Sequence, residues 1–326
     1  MLEKVRIGFV GVGGIAHSHL GRLQEIEAVE IIGLCDVVQE RVEEAATQFG
    51  GAVFVDYERM LGEVEMDALY VCVPPFAHER AEILAAERGI HLFVEKPVVM
   101  RLEQGLEILA AVERAGILSS VGYSLRYTAP IQAARAFLGD REIAMLSANR
   151  WSGIPGDENH WWRVYDKSGG QLLEQATHQV DAMRWFGGDI ERVYGRYAQR
   201  VTGDLPNMTI PDVQVVALEF ASGAVGYIAT CCALTQGGGV GGIKVALRDM
   251  VLEVGGNLNI IPDGAVEPIA VAESVEGIDA AFVRAVQTGA ADAILCDYRE
   301  GLKSAAACIA ANESAASGEA VECWNG

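Results

Sequence analysis

Basic residues are scarce in this sequence. Its 326 residues include 25 Lys and Arg against 45 Asp and Glu, which gives a formal net charge of −20 at pH 7. Nucleic acids and anionic membrane surfaces attract proteins through basic patches. The charge balance therefore argues against a nucleic-acid or membrane partner, and an anionic ligand would have to be bound by local features of the fold.

Long apolar runs and patterned cysteines are also missing. No stretch of the sequence contains the ~20 consecutive apolar residues that a transmembrane helix needs. The seven cysteines are odd in number and scattered, without a Cys-x-x-Cys pair or a zinc-ligand spacing. Because disulfide frameworks and zinc modules show such patterns, we expect a reduced, cytoplasmic protein without a bound metal.

A glycine-rich turn follows the first apolar segment. Residues 5–10 have the length and apolar character of a buried parallel strand. Gly11 permits a tight turn there, and Gly13 has no side chain to hold off a pyrophosphate. A helix beginning near Gly14 and Ile15 would bind the phosphates through its first N–H groups. The pattern predicts a dinucleotide phosphate site, and a flexible loop is the alternative.

The next strand-like segment, residues 30–36, ends in a carboxylate at Asp36, about where a ribose would lie. A carboxylate accepts hydrogen bonds from the 2′ and 3′ hydroxyls of NAD and repels the 2′-phosphate of NADP. Arg41 could instead pair with that phosphate, although we place it on the solvated face of the following helix. The sequence therefore favours NAD, with NADP possible.

The first third of the chain alternates strand-like runs with amphipathic helical segments, which is typical of a doubly wound parallel sheet. Beyond Gly122 come helices and then strands with short connections, which predict an open, mainly antiparallel sheet. The length also favours two domains. We therefore expect an α/β protein with a dinucleotide-binding Rossmann domain at 1–122 and a substrate-binding and oligomerisation α+β domain at 123–326.

Further residues follow the strands of the first domain at the sheet edge where cofactors bind in such folds. A proline pair cannot continue a central strand, so Pro74 begins a loop, and His78 follows on a helix predicted over 77–88. Glu95 and Lys96 end the fifth strand. We expect Pro74, His78, Glu95 and Lys96 to contact the cofactor; the alternative for Lys96 is a surface residue that ends a strand.

Four polar residues in the second half of the chain share a helical spacing. Glu174, Thr177, His178 and Asp181 fall at i, i+3, i+4 and i+7, which places an acid, a hydroxyl, an imidazole and a second acid on one predicted helical face. On spacing alone, this face suits an active site and a solvated surface with an intrahelical Glu–His pair equally well.

Taken together, the motifs resemble those of the glucose-fructose oxidoreductase, inositol dehydrogenase and MocA family. The resemblance extends over essentially the whole chain and rests on motifs in the same order: the glycine turn with His19, Pro74-Pro75 with His78, Glu95-Lys96-Pro97, and residues 121–127, 168–181 and 223–226. It implies oxidation or reduction of a carbinol carbon in sugars, cyclitols or related ring compounds, with NAD or NADP held in the N-terminal domain.

The resemblance also implies that Lys96, His178 and Glu174 are the catalytic groups. In oxidation, His178 would take the hydroxyl proton as general base and Lys96 would stabilise the developing alkoxide, although the two roles could be exchanged. Many relatives have Asp where this chain has Glu174. Its longer side chain could bind a substrate hydroxyl, orient His178, or do both.

Aromatic and polar residues of the second domain are candidate substrate contacts. Aromatic faces can stack on the C–H surface of a sugar and arginine can bind its hydroxyls, whereas core packing is the alternative for the aromatics and domain linkage for Arg126. The predicted substrate-binding residues are Tyr123, Arg126, Trp161, Trp162, Arg163 and Thr177.

Three functions remain compatible with the sequence. The favoured one is an NAD-dependent dehydrogenase or reductase of a small polyhydroxy substrate. The others are a glycosidase of the same fold that uses NAD transiently and a non-catalytic dinucleotide-binding regulatory protein. An open second sheet would leave an apolar face that another subunit could cover, so we expect a homodimer or homotetramer.

Overall fold

The computed structural model describes residues 3–236, 238–264 and 266–326. The chain divides into two compact units. The first contains the described residues up to Gly122 together with Glu276–Gly301, and the second contains the described parts of Tyr123–Val275 with Leu302–Gly326. The division into functional domains at 1–122 and 123–326 remains a prediction, and the segment Glu276–Gly301 belongs structurally to the first unit.

The first unit is built on a six-stranded, all-parallel sheet with strand order β3-β2-β1-β4-β5-β6. The strands are β1 (Val5–Val10), β2 (Val29–Cys35), β3 (Ala52–Phe54), β4 (Ala68–Val71), β5 (His91–Val94) and β6 (Ser119–Val121). The helices between them are α1 (Gly14–Gln24), α2 (Gln39–Phe49), α3 (Tyr57–Glu63), α4 (Ala81–Glu87) and α5 (Leu102–Ala115). The predicted doubly wound sheet is confirmed.

The strand order reverses between β1 and β4, and this point determines where a ligand can bind. In doubly wound sheets the connections on the two sides of such a reversal lie on opposite faces, which opens a crevice at the carboxyl ends of the strands. All four residues of β4 are buried, and only one residue of β1 is even partly exposed. The apolar strands therefore form the core, and the loops that follow them supply the site.

One predicted element of the first unit is wrong. Residues 77–88 do not form a continuous helix: a single 3₁₀ turn at Pro75–Ala77 is followed by extended backbone at His78, and α4 begins at Ala81. The N–H of Ala77 donates a hydrogen bond to the carbonyl of Pro74 at 2.8 Å and closes the turn, so the chain leaves the helical path before His78. His78 therefore precedes α4 rather than lying on it.

The second unit is built on an eight-stranded sheet with order β13-β12-β11-β7-β10-β9-β8-β14, in which only β7 and β10 pair in parallel. The strands are β7 (Met145–Gly153), β8 (Ile190–Ala198), β9 (Val213–Phe220), β10 (Val225–Leu234), β11 (Val240–Ala246), β12 (Val251–Val254), β13 (Leu258–Ile261) and β14 (Val321–Glu322). The predicted mainly antiparallel sheet is confirmed. Strands β13 and β14 extend it beyond the strands that the sequence pattern predicts.

Helices cover one face of this sheet. The remaining helices are α6 (Ala129–Leu138), α7 (Tyr165–Ser168), α8 (Gly170–Glu174), α9 (Thr177–Gly187), α10 (Ile278–Thr288) and α11 (Tyr298–Ser317), of which α10 lies in the first unit. A Cβ placed on Gly195 of β8 would lie only 2.5 Å from the carbonyl oxygen of Ala311. Glycine is therefore needed there for α11 to approach the sheet closely.

A second prediction is also wrong: one helical face does not carry all four of Glu174, Thr177, His178 and Asp181. The chain is helical on both sides but breaks at residues 175–176, so Glu174 ends α8 and the other three residues lie on α9. The break arises because the N–H of Ala176 bonds to the carbonyl of Gln171 at 2.9 Å, a wider turn than an α-helix uses. Glu174 consequently does not continue the face formed by α9.

The elements described above include neither a membrane-spanning helix nor a metal-binding cluster. Within residues 3–236, 238–264 and 266–326, no helix combines the length and the apolar character that crossing a bilayer requires. In the same ranges, no group of three or more His, Cys, Asp and Glu side chains is arranged to hold a metal ion.

A buried ion pair anchors α9 in the second unit. Arg126 donates to both carboxylate oxygens of Asp181, at 2.8 and 2.7 Å, and the Ser304 hydroxyl donates to one of them at 2.8 Å. Arg126 is 2% exposed and Asp181 is fully buried. The guanidinium also lies over the ring of Trp185, 5.5 Å from its centroid. The pair therefore sits in low dielectric, where removal of one charge leaves the other uncompensated.

We expect Asp181→Asn to lower the free energy of unfolding by about 3 kcal/mol, because the substitution leaves a buried guanidinium without its counter-charge. Urea unfolding followed by circular dichroism measures the change. The exposed Asp204→Asn, in the same unit, is the matched control and should change stability by less than about 0.5 kcal/mol. Equal stability of the two variants would contradict a structural role for the pair.

Candidate active site

The glycine turn of the first unit has the geometry of a phosphate-binding loop. Gly11 has φ +85°, and a Cβ there would lie 2.6 Å from the carbonyl oxygen of Cys72, so only glycine fits. Its N–H bonds to the carbonyl of Cys35 at 2.8 Å, which ties the turn to the end of β2. Gly13 then precedes α1 and has no side chain to cap it. The N–H groups at the N-terminus of the 11-residue helix α1 are therefore available to bind an anion.

The backbone of this loop is open on one side. A Cβ built on Gly13 or Gly14 would have no atom from a non-neighbouring part of the described chain within 4 Å, so a ligand can approach the backbone closely there. Ile15, at the start of α1, is 47% exposed. Ala16 is fully buried and lets α1 pack closely on the sheet. These residues would hold the pyrophosphate of NAD.

Asp36 lies at the end of β2, as predicted, and it also organises the loop. Its carboxylate oxygens accept from the N–H groups of Val12 and Val38, both at 3.0 Å. Arg41 is exposed on α2, as predicted, and its guanidinium also lies 3.5 Å from a carboxylate oxygen of Asp36. The position expected for the ribose therefore has one carboxylate and one cation beside it.

Glu95 is held in one orientation by its neighbours within the first unit. One carboxylate oxygen is 2.9 Å from Nε2 of His19, and the other accepts from the N–H of Lys96 at 3.0 Å. A Cβ on Gly122 would lie 2.4 Å from the first of these oxygens, so glycine makes room for the carboxylate. Lys96 is partly buried, and the peptide bond between Lys96 and Pro97 is cis.

His78 forms a buried pair with Glu82. Nδ1 of His78 bonds to the Glu82 carboxylate, and both side chains are almost entirely inaccessible to solvent. Gln104 donates to the backbone carbonyl of His78, which fixes the loop after Pro74 on α5. Because the pair is buried, the predicted cofactor contact of His78 is less direct than its place in the sequence indicates, and it remains a prediction.

The second unit contains a cavity of about 250 Å³ beside α8. Two buried polar atoms in its lining, the indole N–H of Trp162 and the side-chain carbonyl oxygen of Gln171, have no hydrogen-bond partner among the described residues. Arg150 donates to Gln175 at 2.9 Å, and Gln175 bonds to Glu174. The polar side chains that line the cavity are Arg150, Ser152, Trp162, Gln171, Glu174 and Gln175.

Trp161, Trp162 and Arg163 form a single 3₁₀ turn next to this cavity, and only Trp162 lines it. The guanidinium of Arg163 donates to the carbonyls of Pro155 and Gly156 at 2.9 and 2.8 Å, so it closes a loop of its own unit. Contacts of Trp161 and Arg163 with substrate therefore stay predictions, whereas Trp162 borders a space that can receive a ligand.

The remaining predicted residues of the second unit cluster around the start of α9. Tyr123 and Thr177 are buried and share a hydroxyl–hydroxyl bond of 2.8 Å. The rings of His178 and Tyr123 form a T-shaped contact, with 5.9 Å between their centroids. Arg126 forms its ion pair with Asp181, which also lies on α9. The structure thus brings Tyr123, Thr177 and His178 together and uses Arg126 to anchor the helix that carries them.

Some residues of the two sites are absent from the sequence predictions. Arg150, Gln171 and Gln175 line the cavity; the two glutamines lie within the 168–181 motif but are not among its predicted site residues, and Arg150 lies outside the motifs. In the first unit, Asp279 on α10 bonds to His19, 260 residues away in the chain. A signal for Asp279 exists: at helical spacing it shares a face with the buried Phe282, Val283 and Val286, where a lone acid needs partners.

Comparison with known proteins agrees with this arrangement. Residues 5–123 match the family model described as an oxidoreductase family with an NAD-binding Rossmann fold, and residues 135–256 match the GFO/IDH/MocA C-terminal domain. Together the two models cover most of the chain.

Individual relatives are similar over long segments. The chain is 25% identical to myo-inositol 2-dehydrogenase of Thermotoga maritima over 69% of its length and 67% of the relative, and 24% identical to D-glucoside 3-dehydrogenase of Escherichia coli over 71% of each. The crystal structure of the WlbA dehydrogenase from Bordetella pertussis, in complex with NADH and UDP-GlcNAcA, is 26% identical with a TM-score of 0.85 and 98% coverage of both chains. The chain belongs to the Gfo/Idh/MocA oxidoreductase family, and its first unit is the NAD-binding Rossmann fold of that family.

Proposed function

We propose that this protein is a cytoplasmic NAD-dependent dehydrogenase that oxidises or reduces a carbinol carbon of a sugar, cyclitol or related polyhydroxy ring compound. The names of the inositol and glucoside dehydrogenases and the ligands of the WlbA complex support this substrate class. All seven cysteines are free thiols, which supports a reducing compartment. These relatives are named as dehydrogenases, so neither a glycosidase nor a regulatory protein is proposed.

One observation in the second unit carries the substrate class. The lining of the cavity offers hydrogen-bond donors on Arg150 and Gln175 and acceptors on Ser152 and Glu174. A polyhydroxy ligand suits such a lining, since each of its hydroxyls both donates and accepts.

The proposed catalytic roles are those that the motifs imply. Bound NAD supplies the hydride acceptor. His178 takes the proton of the reacting hydroxyl as general base, and the ammonium of Lys96 stabilises the developing alkoxide. Glu174 lines the cavity, which supports a contact with a substrate hydroxyl. The cofactor contacts are assigned to Gly11, Gly13, Gly14, Ile15, Asp36, Pro74, His78, Glu95 and Lys96, and the substrate contacts to Tyr123, Arg126, Trp161, Trp162, Arg163 and Thr177.

Replacing Lys96 by Met tests the proposed chemistry. We expect kcat to fall by at least about 100-fold, because the variant can neither stabilise the alkoxide nor exchange a proton. NADH affinity should fall far less than kcat, because the other assigned cofactor contacts remain. The measurement is nicotinamide absorbance over a panel of inositols, glucosides and free sugars, with NADH affinity from calorimetry. Lys4→Met, at an exposed position, is the control. Full activity in the Lys96 variant would end the assignment.

Replacing Asp36 by Ser tests the cofactor preference. We expect NAD affinity to fall by about tenfold, since the ribose hydroxyls lose a charged acceptor. NADP affinity should rise, because the substitution removes the repelling carboxylate and frees Arg41, which lies 3.5 Å from it. Calorimetric titration with each cofactor measures both. Adding Arg41→Gln should reduce the gain for NADP to the part that comes from loss of the repelling carboxylate, and an undiminished gain would show that Arg41 does not bind the phosphate.

We also propose that the protein forms a homodimer or homotetramer through the open face of the second sheet. Ala217 of β9 is paired with Tyr194 of β8 on one side and with Tyr227 of β10 on the other, so two tyrosines flank a small residue. Tyr194 is 44% exposed and Tyr227 is 37% exposed, and Val215 and Val225 are about half exposed. These apolar side chains lie beside two exposed charged residues, Arg196 opposite Val215 and Glu219 opposite Val225. An apolar cluster with charged neighbours suits a self-complementary interface.

A single added charge in that cluster should weaken association. We expect Val215→Glu to shift the protein toward smaller species, because the interface would have to desolvate an added carboxylate. Light scattering coupled to size exclusion gives the mass in solution. Val201→Glu, at a position that is 66% exposed and lies in a loop, is the control that should not change it. A wild-type protein that is monomeric would contradict the proposal.

A further inference from the structure

His19 lies between two carboxylates in the interior of the first unit. Its Nε2 is 2.9 Å from Glu95 and its Nδ1 is 2.6 Å from Asp279, while the side chain is only 2% exposed. An ionised carboxylate can only accept hydrogen bonds, so the two contacts are both satisfied when both ring nitrogens carry a proton. The geometry therefore favours an imidazolium ion at this position.

The groups around His19 balance this charge. Arg22 donates to the second oxygen of Asp279 and lies 3.0 Å from Nδ1 of His19, and the hydroxyl of Tyr70 donates to Asp279 at 3.2 Å. The rings of Tyr70 and Phe93 pack against the imidazole. Two cations thus face two carboxylates. Burial alone would lower the pKa of His19, but its hydrogen bonds to Asp279 and Glu95 and the negative charges of these carboxylates outweigh it and raise this pKa to about 9.

The same network determines the orientation of the Glu95 carboxylate. One of its oxygens meets His19, and the other accepts from the N–H of Lys96, the next residue in the chain. His19 is therefore the tertiary contact that selects one rotamer of Glu95, and Asp279 is the residue that orients His19 and keeps it charged.

We propose that His19 and Asp279 are positioning residues, which act through Glu95 to hold the Glu95-Lys96-Pro97 segment in the conformation that binds the nicotinamide cofactor. The inference rests on the cofactor contacts assigned to Glu95 and Lys96 in the proposed function. Neither His19 nor Asp279 needs to touch the cofactor. Asp279 comes from α10, so the segment Glu276–Gly301 contributes to the cofactor site of the unit in which it lies.

The positioning depends on a proton, and this gives it a measurable signature. Because the pKa of His19 is raised to about 9, the charged network is intact at neutral pH and is lost as the pH rises through that value. Loss of the proton removes the charge of the imidazole and one of its two hydrogen bonds to the carboxylates, and a charged hydrogen bond of this kind corresponds to about tenfold or more in affinity. NADH affinity should therefore be constant from about pH 6 to about pH 8 and fall above about pH 9.

The experiment compares the ionisation of His19 with the binding of NADH in the full-length protein. Carbon-labelled histidine, assigned by the loss of one resonance in His19→Asn, gives the pKa of His19 by NMR. Calorimetry gives NADH affinity over the same pH series. In the wild type the two midpoints should coincide. In Asp279→Asn both should move to lower pH together, since His19 loses its anionic partner, while Asp292→Asn, at an exposed position, should move neither.

Two outcomes would overturn the inference: a wild-type NADH affinity that stays constant through the ionisation of His19, or an Asp279 variant in which His19 shifts and the binding midpoint does not. The wild-type comparison does not use the Asp279 variant, so it decides the matter even where Asp279→Asn fails to fold. A protein that binds NADH with this pH dependence but converts no compound of the polyol panel would instead refute the proposed function and leave the positioning role intact.

Discussion

Helix α1 is the element on which the cofactor site of the first unit depends. Its N-terminus presents uncapped N–H groups behind Gly13, and little more than one turn later His19 contacts the carboxylate of Glu95. Both functions require the helix to lie close against the sheet. That approach is possible because Gly11 leaves room for the carbonyl of Cys72 and Ala16 is fully buried. One helix thus links the phosphate end of the site to the segment that carries Lys96.

Carboxylates fix the local structure of the cofactor site in this acidic chain. Asp36 accepts from two backbone N–H groups and lies beside Arg41, and Glu95 accepts from one N–H and one imidazole. Each is positioned by donors before any ligand binds, so a ligand need not pay for ordering it. With a net charge of −20, attraction of an anionic cofactor cannot come from the overall field. It has to come from the helix dipole and from local donors.

Much of the fold follows from patterns that a sequence displays. The strands β1 and β4 are predicted because they are buried on both faces and therefore apolar throughout, and the turn at Gly11 because its backbone requires glycine. By contrast, β13 alternates between partly buried and exposed residues at a sheet edge, and its pattern is weak. The break after Glu174 depends on one wide backbone turn, which the helical spacing of the side chains does not reveal.

The candidate site is predictable where one short segment supplies the chemistry and unpredictable where distant segments must meet. Asp279 illustrates the difference. Burying a carboxylate costs several kcal/mol unless it is paired, and its donors here are His19 and Arg22 on α1 and Tyr70 on β4. An acid on an apolar helical face signals that partners exist but does not identify them. The reverse also holds: His19 belongs to a recognisable motif, yet its charge depends on two acids that lie 76 and 260 residues away in the chain.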